Sequence, residues 1–174
     1  MSPPSSVPVV RPATLTDLSE LVRVINVAYR VEAFFIDGDR IDEAGIRSRF
    51  SQSGGLFLVA EGSPADSLVG AVYCVVDGVR GFFALLSVDP VAQGRGIGRQ
   101  LIAAVEAHCR RSGCRHLELD VVDLREELPP FYRRLGFTNI GTAPFPDPGK
   151  LRRPAEMLRM QKRLDSVDPS RNQG

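Results

Sequence analysis

A chain of 174 residues is near the usual size of one domain and long enough to bury a core without disulfides or a metal staple. Hydrophobic residues at 43% and charged residues at 25% exclude a disordered or fibrous chain, and 22 Lys+Arg against 21 Asp+Glu leave a net charge of +1, without the basic excess of a dedicated nucleic-acid binder. Three cysteines without a CxxC pair, no apolar leader and no apolar run of ~20 residues point to a cytoplasmic protein with no membrane partner, and two histidines (His108, His116) are too few for a multi-histidine metal site.

In chain order, residues 1–7 and 165–174 are rich in Ser, Pro, Asp and Asn and are expected to be flexible, which leaves 8–164 as the domain. Val9 and Val10 read as a first strand. Thr14 or Thr16 then caps a helix with Leu18, Leu21, Val22, Ile25 and Ala28 on one face. The stretch Tyr29 to Phe50 is irregular, with a turn at Asp37-Gly38-Asp39 and a short helix from Ile41 to Phe50. Three β-rich runs follow, Leu56 to Ala60, Ser67 to Val76 and Gly81 to Val88, expected as neighbouring antiparallel strands. A helix marked by Ile97, Leu101, Ile102, Val105 and Cys109 stops at Gly113. Beyond it lie a strand (His116 to Val122), a helix around Leu124 to Leu135, a strand from Phe137 to Gly141 and a last strand near Met157 to Lys162. Pro129 and Pro130 suit only a first helical turn, so the helix carrying Tyr132 begins late. The order β-α-(α)-β-β-β-α-β-α-β-β is that of an α/β sheet in which the helical crossover makes part of the sheet parallel.

The informative segment is Leu85-Leu86-Ser87-Val88-Asp89-Pro90-Val91-Ala92-Gln93-Gly94-Arg95-Gly96-Ile97-Gly98-Arg99. A strand enters a turn with glycines at alternate positions, and the turn opens an amphipathic helix. Glycine lets a ligand approach the backbone, and the unpaired N–H groups of the first helical turn favour an anion there, with Arg95 and Arg99 nearby. A P-loop needs a lysine after its glycines, and only Lys150 and Lys162 exist; a GxGxxG dinucleotide fingerprint fails at Arg99 or Leu101. The glycines alone would also serve a tight turn without ligand.

What remains is Gln93-x-x-Gly96-x-Gly98, which resembles the diphosphate loop of the GCN5-related N-acetyltransferase (GNAT) superfamily, and Phe131-Tyr132-Arg133-Arg134-Leu135-Gly136-Phe137 is similar to that family's helix-to-strand block. The resemblance implies one α/β (α+β) domain: a mixed, mostly antiparallel sheet of about six to seven strands with a splayed central parallel pair, flanked by about four helices. It implies acetyl-CoA as cosubstrate, held by Gln93, Gly94, Arg95, Gly96, Ile97, Gly98 and Arg99, with the backbone of Leu86 and Val88 pairing with the pantetheine arm and the Val88 N–H polarising the thioester.

By the same resemblance Tyr132 is the general acid for the departing thiolate and Asp120 aligns with a general base; Tyr132 as a core aromatic and Asp120 as one member of a half-exposed strand are the plain alternatives. His116, Glu118 and Asp120 share a face, but the reaction needs no metal and none is expected. Arg125 stands seven residues before Tyr132, where many relatives have an asparagine that contacts the CoA arm. No cysteine is arranged as a nucleophile, which favours direct transfer in a ternary complex. The acceptor site would be walled by Tyr29 to Phe50, acidic and aromatic, and by Thr142 to Pro154. The acceptor is a small-molecule amine or a peptide N-terminus, and the protein a monomer or homodimer. The competing readings are an acyl-CoA sensor without turnover and a Rossmann-like nucleotide binder.

Overall fold

Helix α1 (Leu18–Tyr29) is entered through a single 3-10 turn, Leu15–Asp17. The turn is closed by Thr14 N–H donating to Asp17 at 2.8 Å and held from outside by the Arg11 guanidinium, which donates to both Asp17 oxygens at 2.8 and 2.9 Å. The structure, a computed structural model, describes residues 7–64 and 67–164. Most of the segments expected to be loose at the two ends lie outside the described residues.

The strands are β1 (Val10–Pro12), β2 (Gly55–Glu61), β3 (Leu68–Asp77), β4 (Arg80–Val88), β5 (His116–Val122), β6 (Thr138–Pro144) and β7 (Glu156–Arg163). They form one seven-stranded sheet in the order β1-β2-β3-β4-β5-β7-β6. The β1/β2, β5/β7 and β6/β7 pairs are antiparallel and β4/β5 is parallel, as a helical crossover between β4 and β5 requires. Helices α2 (Glu43–Ser51), α3 (Ile97–Arg111) and α4 (Leu128–Arg134) complete a mixed α/β domain of the expected class.

Packing groups the described residues into two compact units. The first comprises residues 7–31, 39–64, 67–73 and 85–104. Its core holds Leu21, Val24 and Ile25 of α1, Ile46 of α2, and Phe57 and Val59 of β2, all fully buried. The buried stripe of α1 runs through Val24 rather than Val22 and Ala28, which are half-buried. The Phe57 ring lies between Phe50 and Tyr73, with centroids at 5.3 and 4.9 Å. Asp42 caps α2 by accepting from Gly45 N–H at 2.8 Å, so the helix begins at Glu43, two residues later than expected.

The second unit comprises 32–38, 74–84 and 105–164. Alternation on β5 buries Leu117, Leu119 and Val121 on one face, joined by Phe83, Phe137 and Met160 in the core. The parallel β4/β5 ladder lasts for three pairs, Arg80↔His116, Gly81↔Leu117 and Phe82↔Glu118, although β4 continues to Val88 and β5 to Val122. Helix α4 begins at Leu128, as its two prolines require, and not near Leu124. Strand β6 runs to Pro144 rather than Gly141 and shifts register between Asn139 and Gly141. A satellite cluster of Phe35, Val122, Phe145 and Met157 completes this unit. Among the described residues no helix is long and apolar enough to cross a membrane.

Candidate functional site

In the first unit, the end of β4 departs from regular geometry at Leu85. This buried, non-glycine residue has φ 57°, in the left-handed region that L-residues avoid, and its carbonyl accepts from the buried Ser87 hydroxyl at 2.8 Å. Leu86 and Val88, the expected backbone partners of the pantetheine arm, follow it on the strand and are half-buried.

Asp89 then stops the strand. Its backbone N–H donates to Val69 O at 2.8 Å, its carbonyl accepts from Ala92 N–H at 2.8 Å, and its carboxylate caps the 3-10 turn Pro90–Ala92 through Val91 N–H at 3.2 Å. Gln93 is exposed, and its side-chain amide lies 3.4 Å from Val88 O.

Gly94 and Gly96 have φ of 79° and 75°, and a Cβ added at either meets nothing within 4 Å. These glycines therefore serve the backbone bend rather than crowding by the protein, and the space above them is open. Gly98 has ordinary helical geometry, with only Val88 Cγ2 near an added Cβ, at 3.8 Å. Ile97 is buried and anchors the start of α3. The first intrahelical bond is Gln100 N–H to Gly96 O at 3.1 Å, so the amides of Ile97, Gly98 and Arg99 precede the helical ladder, with Arg95 and Arg99 exposed beside them. The Gln100 Oε1 atom in this same turn is buried without a hydrogen-bond partner. Bent glycines, open space and first-turn amides fit the diphosphate of a CoA thioester.

In the second unit, Tyr132 sits on α4, buried, its ring against Phe83, Phe131 and Phe137 at 6.1, 5.1 and 5.9 Å. The chain leaves α4 through Gly136 (φ 95°), with Phe137 N–H donating to Tyr132 O at 3.1 Å.

Asp120 lies opposite Arg159 on β7, and its two carboxylate oxygens accept from Arg159 Nε and Nη2 at 2.8 and 2.9 Å. That fork raises the Arg159 pKa above its ordinary value. Glu118 accepts from Gln161 Nε2 at 2.8 Å, while His116 Nδ1 is buried without a partner. Glu118 and Asp120 on this shared face are thus members of cross-strand pairs. Among the described residues no group of His, Cys, Asp and Glu is arranged to hold a metal ion.

The Arg125 backbone N–H donates to Val122 O at the end of β5 at 3.2 Å, and its side chain is engaged by two carboxylates. Its Nη1 donates to the buried Glu32 carboxylate at 3.2 Å and its Nε to Glu127 at 2.6 Å. Two parts of the expected acceptor walls are joined in this unit: Asp37 N–H donates to Lys150 O at 2.9 Å, Arg152 N–H to Phe35 O at 2.8 Å, and Ile36 bridges Leu151. Arg152 also pairs with Asp37. The acidic residues expected around the first wall are thus largely engaged: Glu32 with Arg125, Asp37 with Arg152, and Asp42 as a helix cap.

All three cysteines are free and buried. Burial pushes the Cys114 thiol up to about 11, and Cys109 is raised by its contact with Cys74, whose sulfur is 3.7 Å away, and by burial. Neither is poised as a nucleophile.

The Arg23–Asp89 and Arg125–Glu32 pairs escaped sequence reading; only the Asp89-Pro90 pair, a capping residue before a first-turn proline, carried a local signal.

Comparison with known proteins agrees with this geometry. The family model described as "Acetyltransferase (GNAT) family" matches residues 20–137. The ribosomal-protein-S18-alanine N-acetyltransferase of Escherichia coli superposes with a TM-score of 0.74 at 16% identity, covering 93% of this chain and 97% of that one. A phosphinothricin acetyltransferase of Sinorhizobium meliloti, in complex with AcCoA, gives 0.72 at 19% identity, covering 91% and 89%. A GNAT-family acetyltransferase of Staphylococcus aureus gives 0.72 at 20% identity, covering 90% and 99%. At such identities the likeness establishes the fold.

Proposed function

We propose that this chain, which belongs to the acetyltransferase (GNAT) family, is an N-acetyltransferase that moves the acetyl group of acetyl-CoA to a primary amine by direct attack in a ternary complex. The observation that carries the reading is the turn from Gln93 to Gly98, with two left-handed glycines beneath open space and a helix N-terminus behind them. The amides of that turn bind the diphosphate, with Arg95 and Arg99 offsetting further charge. The backbone of Leu86 and Val88 takes the pantetheine arm as an added strand would, and the Val88 N–H polarises the thioester oxygen.

The amine nitrogen attacks the thioester carbon, the C–S bond breaks, and the phenol of Tyr132 gives the sulfur its proton; an unperturbed phenol at ~10 and thiol at ~8.5 are close enough for that exchange. Asp120 takes the amine's proton through a water. Arg159 occupies two of the carboxylate's acceptor positions, and a carboxylate has about four. The raised, buried thiols support direct transfer over an acyl-cysteine route. The acceptor is a small-molecule amine or a peptide N-terminus.

A second reading, an acyl-CoA-binding domain without turnover, draws support from the engagement of Asp120 by Arg159. Calorimetric titration with acetyl-CoA, followed by thiol release across primary amines and peptides with free N-termini, tests both. Binding with thiol release from any acceptor supports the enzyme, binding without release the sensor, and absence of binding removes both.

A further inference from the structure

Arg23, exposed on α1, spends its whole guanidinium on one arrangement. Its Nε and Nη2 clasp the Glu20 carboxylate, each at 2.9 Å, Nη2 also donates to Leu68 O at 2.7 Å, and Nη1 donates to Asp89 Oδ2 at 2.9 Å. Glu20 in turn accepts from Leu68 N–H at 3.0 Å. Arg23 therefore ties the start of β3 to Asp89, the residue from which the glycine turn departs.

Two physical consequences follow. A turn bent by Gly94 and Gly96 has little stiffness of its own, so its shape depends on how firmly its root is held. Asp89 is also a carboxylate at the base of a site that favours anions, and an unneutralised negative charge there opposes a diphosphate.

We infer that Arg23 is a positioning residue for the diphosphate turn, acting through Asp89 by holding the turn's root and offsetting one of the two negative charges, Glu20 and Asp89, gathered there. The inference rests on the proposed CoA-binding role of the turn. It is distinguished from a contribution to the fold by the Arg23→Gln/Asp89→Asn double variant, for which the two roles predict different CoA affinities.

The test is calorimetric titration of the full chain with CoA, at low and moderate salt, for the unmodified protein, Arg23→Gln, Arg23→Lys, Asp89→Asn and the Arg23→Gln/Asp89→Asn double variant. Arg23→Gln is expected to raise the CoA Kd about tenfold. Arg23→Lys, which keeps the charge but not the fork, is expected to recover part of that loss. The double variant is expected to bind better than Arg23→Gln alone, since asparagine still caps the turn without charge. A general structural role predicts instead that the two substitutions add. An unchanged Kd in Arg23→Gln, or additive losses in the double variant, overturns the inference while leaving the proposed function standing. No CoA binding by the unmodified chain overturns both.

Discussion

The buried carboxylate of Glu32 and the guanidinium of Arg125, 93 residues apart in the chain, meet at 3.2 Å. This pair gives Arg125 a charged partner within the second unit. Its Nη1 is committed to that buried carboxylate, and its Nε holds Glu127 just before α4. Arg125→Ala removes a charged partner of the buried Glu32 carboxylate and is expected to cost about 1–3 kcal/mol in urea unfolding. Adding Glu32→Gln to that variant should restore much of the loss. A double variant no more stable than Arg125→Ala would show that the loss does not come from the Glu32 charge.

Tyr132→Phe removes one hydroxyl from a buried ring packed on Phe83 and Phe137. Turnover at saturating acetyl-CoA is expected to fall about 100-fold while the Kd for CoA stays within error, because the role proposed for the phenol is at the departing sulfur and not at the diphosphate. Stopped thiol-release assays beside calorimetry separate the two. Equal turnover in the variant would remove Tyr132 from the chemistry.

The glycines of the turn should behave unequally. Gly94→Ala and Gly96→Ala force left-handed backbone on an L-residue, at about 1–2 kcal/mol each, and should lower both melting temperature and CoA affinity. Gly98 lies inside α3 with room for a methyl, so Gly98→Ala should raise stability by about 0.5–1 kcal/mol yet weaken CoA binding by covering a first-turn amide. Thermal unfolding with and without CoA distinguishes these patterns.

Acid should weaken the ion pairs at the start of α1. The Arg11 fork holds the Asp17 carboxyl below its ordinary 3.8, and Arg23 holds Glu20 below 4.5. A carboxyl depressed in the folded state contributes stability above its unfolded pKa and loses it as pH falls through the folded value. Stability is therefore expected to be flat from pH 7 to about 5 and to decline below about 4.5, with each group contributing under about 1 kcal/mol. Asp17→Asn should flatten that acid limb in urea titrations; an unchanged limb would exclude the group.

Gly81→Ala places a methyl against the Cys109 sulfur within the second unit. A loss of about 1–3 kcal/mol is expected, recovered in part by Cys109→Ala, which vacates the volume. Failure of the double variant to recover would locate the strain elsewhere.

What could be read from the residues divides by range. The β4–turn–α3 passage was legible because strand alternation, alternate glycines and helical spacing are all local. Pro129 and Pro130 likewise announced the late start of α4, confirmed at Leu128. The α1 face was only partly legible: apolar residues at 22, 24, 25 and 28 allow neighbouring stripes, and tertiary packing chose Val24. The pairs Arg125–Glu32, Arg23–Asp89 and Asp120–Arg159 had no such signal. Each depends on a strand register or a loop path that brings distant charges together, and no periodicity within either segment encodes that meeting.

The outer border of the sheet at β6 has a consequence for how the molecule behaves when crowded. With its register broken around Ile140 and a proline without a donor at Pro144, a foreign polypeptide laid along that border would lose its match within a few residues. Concentrated solutions should accordingly resist growing fibrils from this side, and copies that meet along β6 must do so through side chains rather than by prolonging the sheet there.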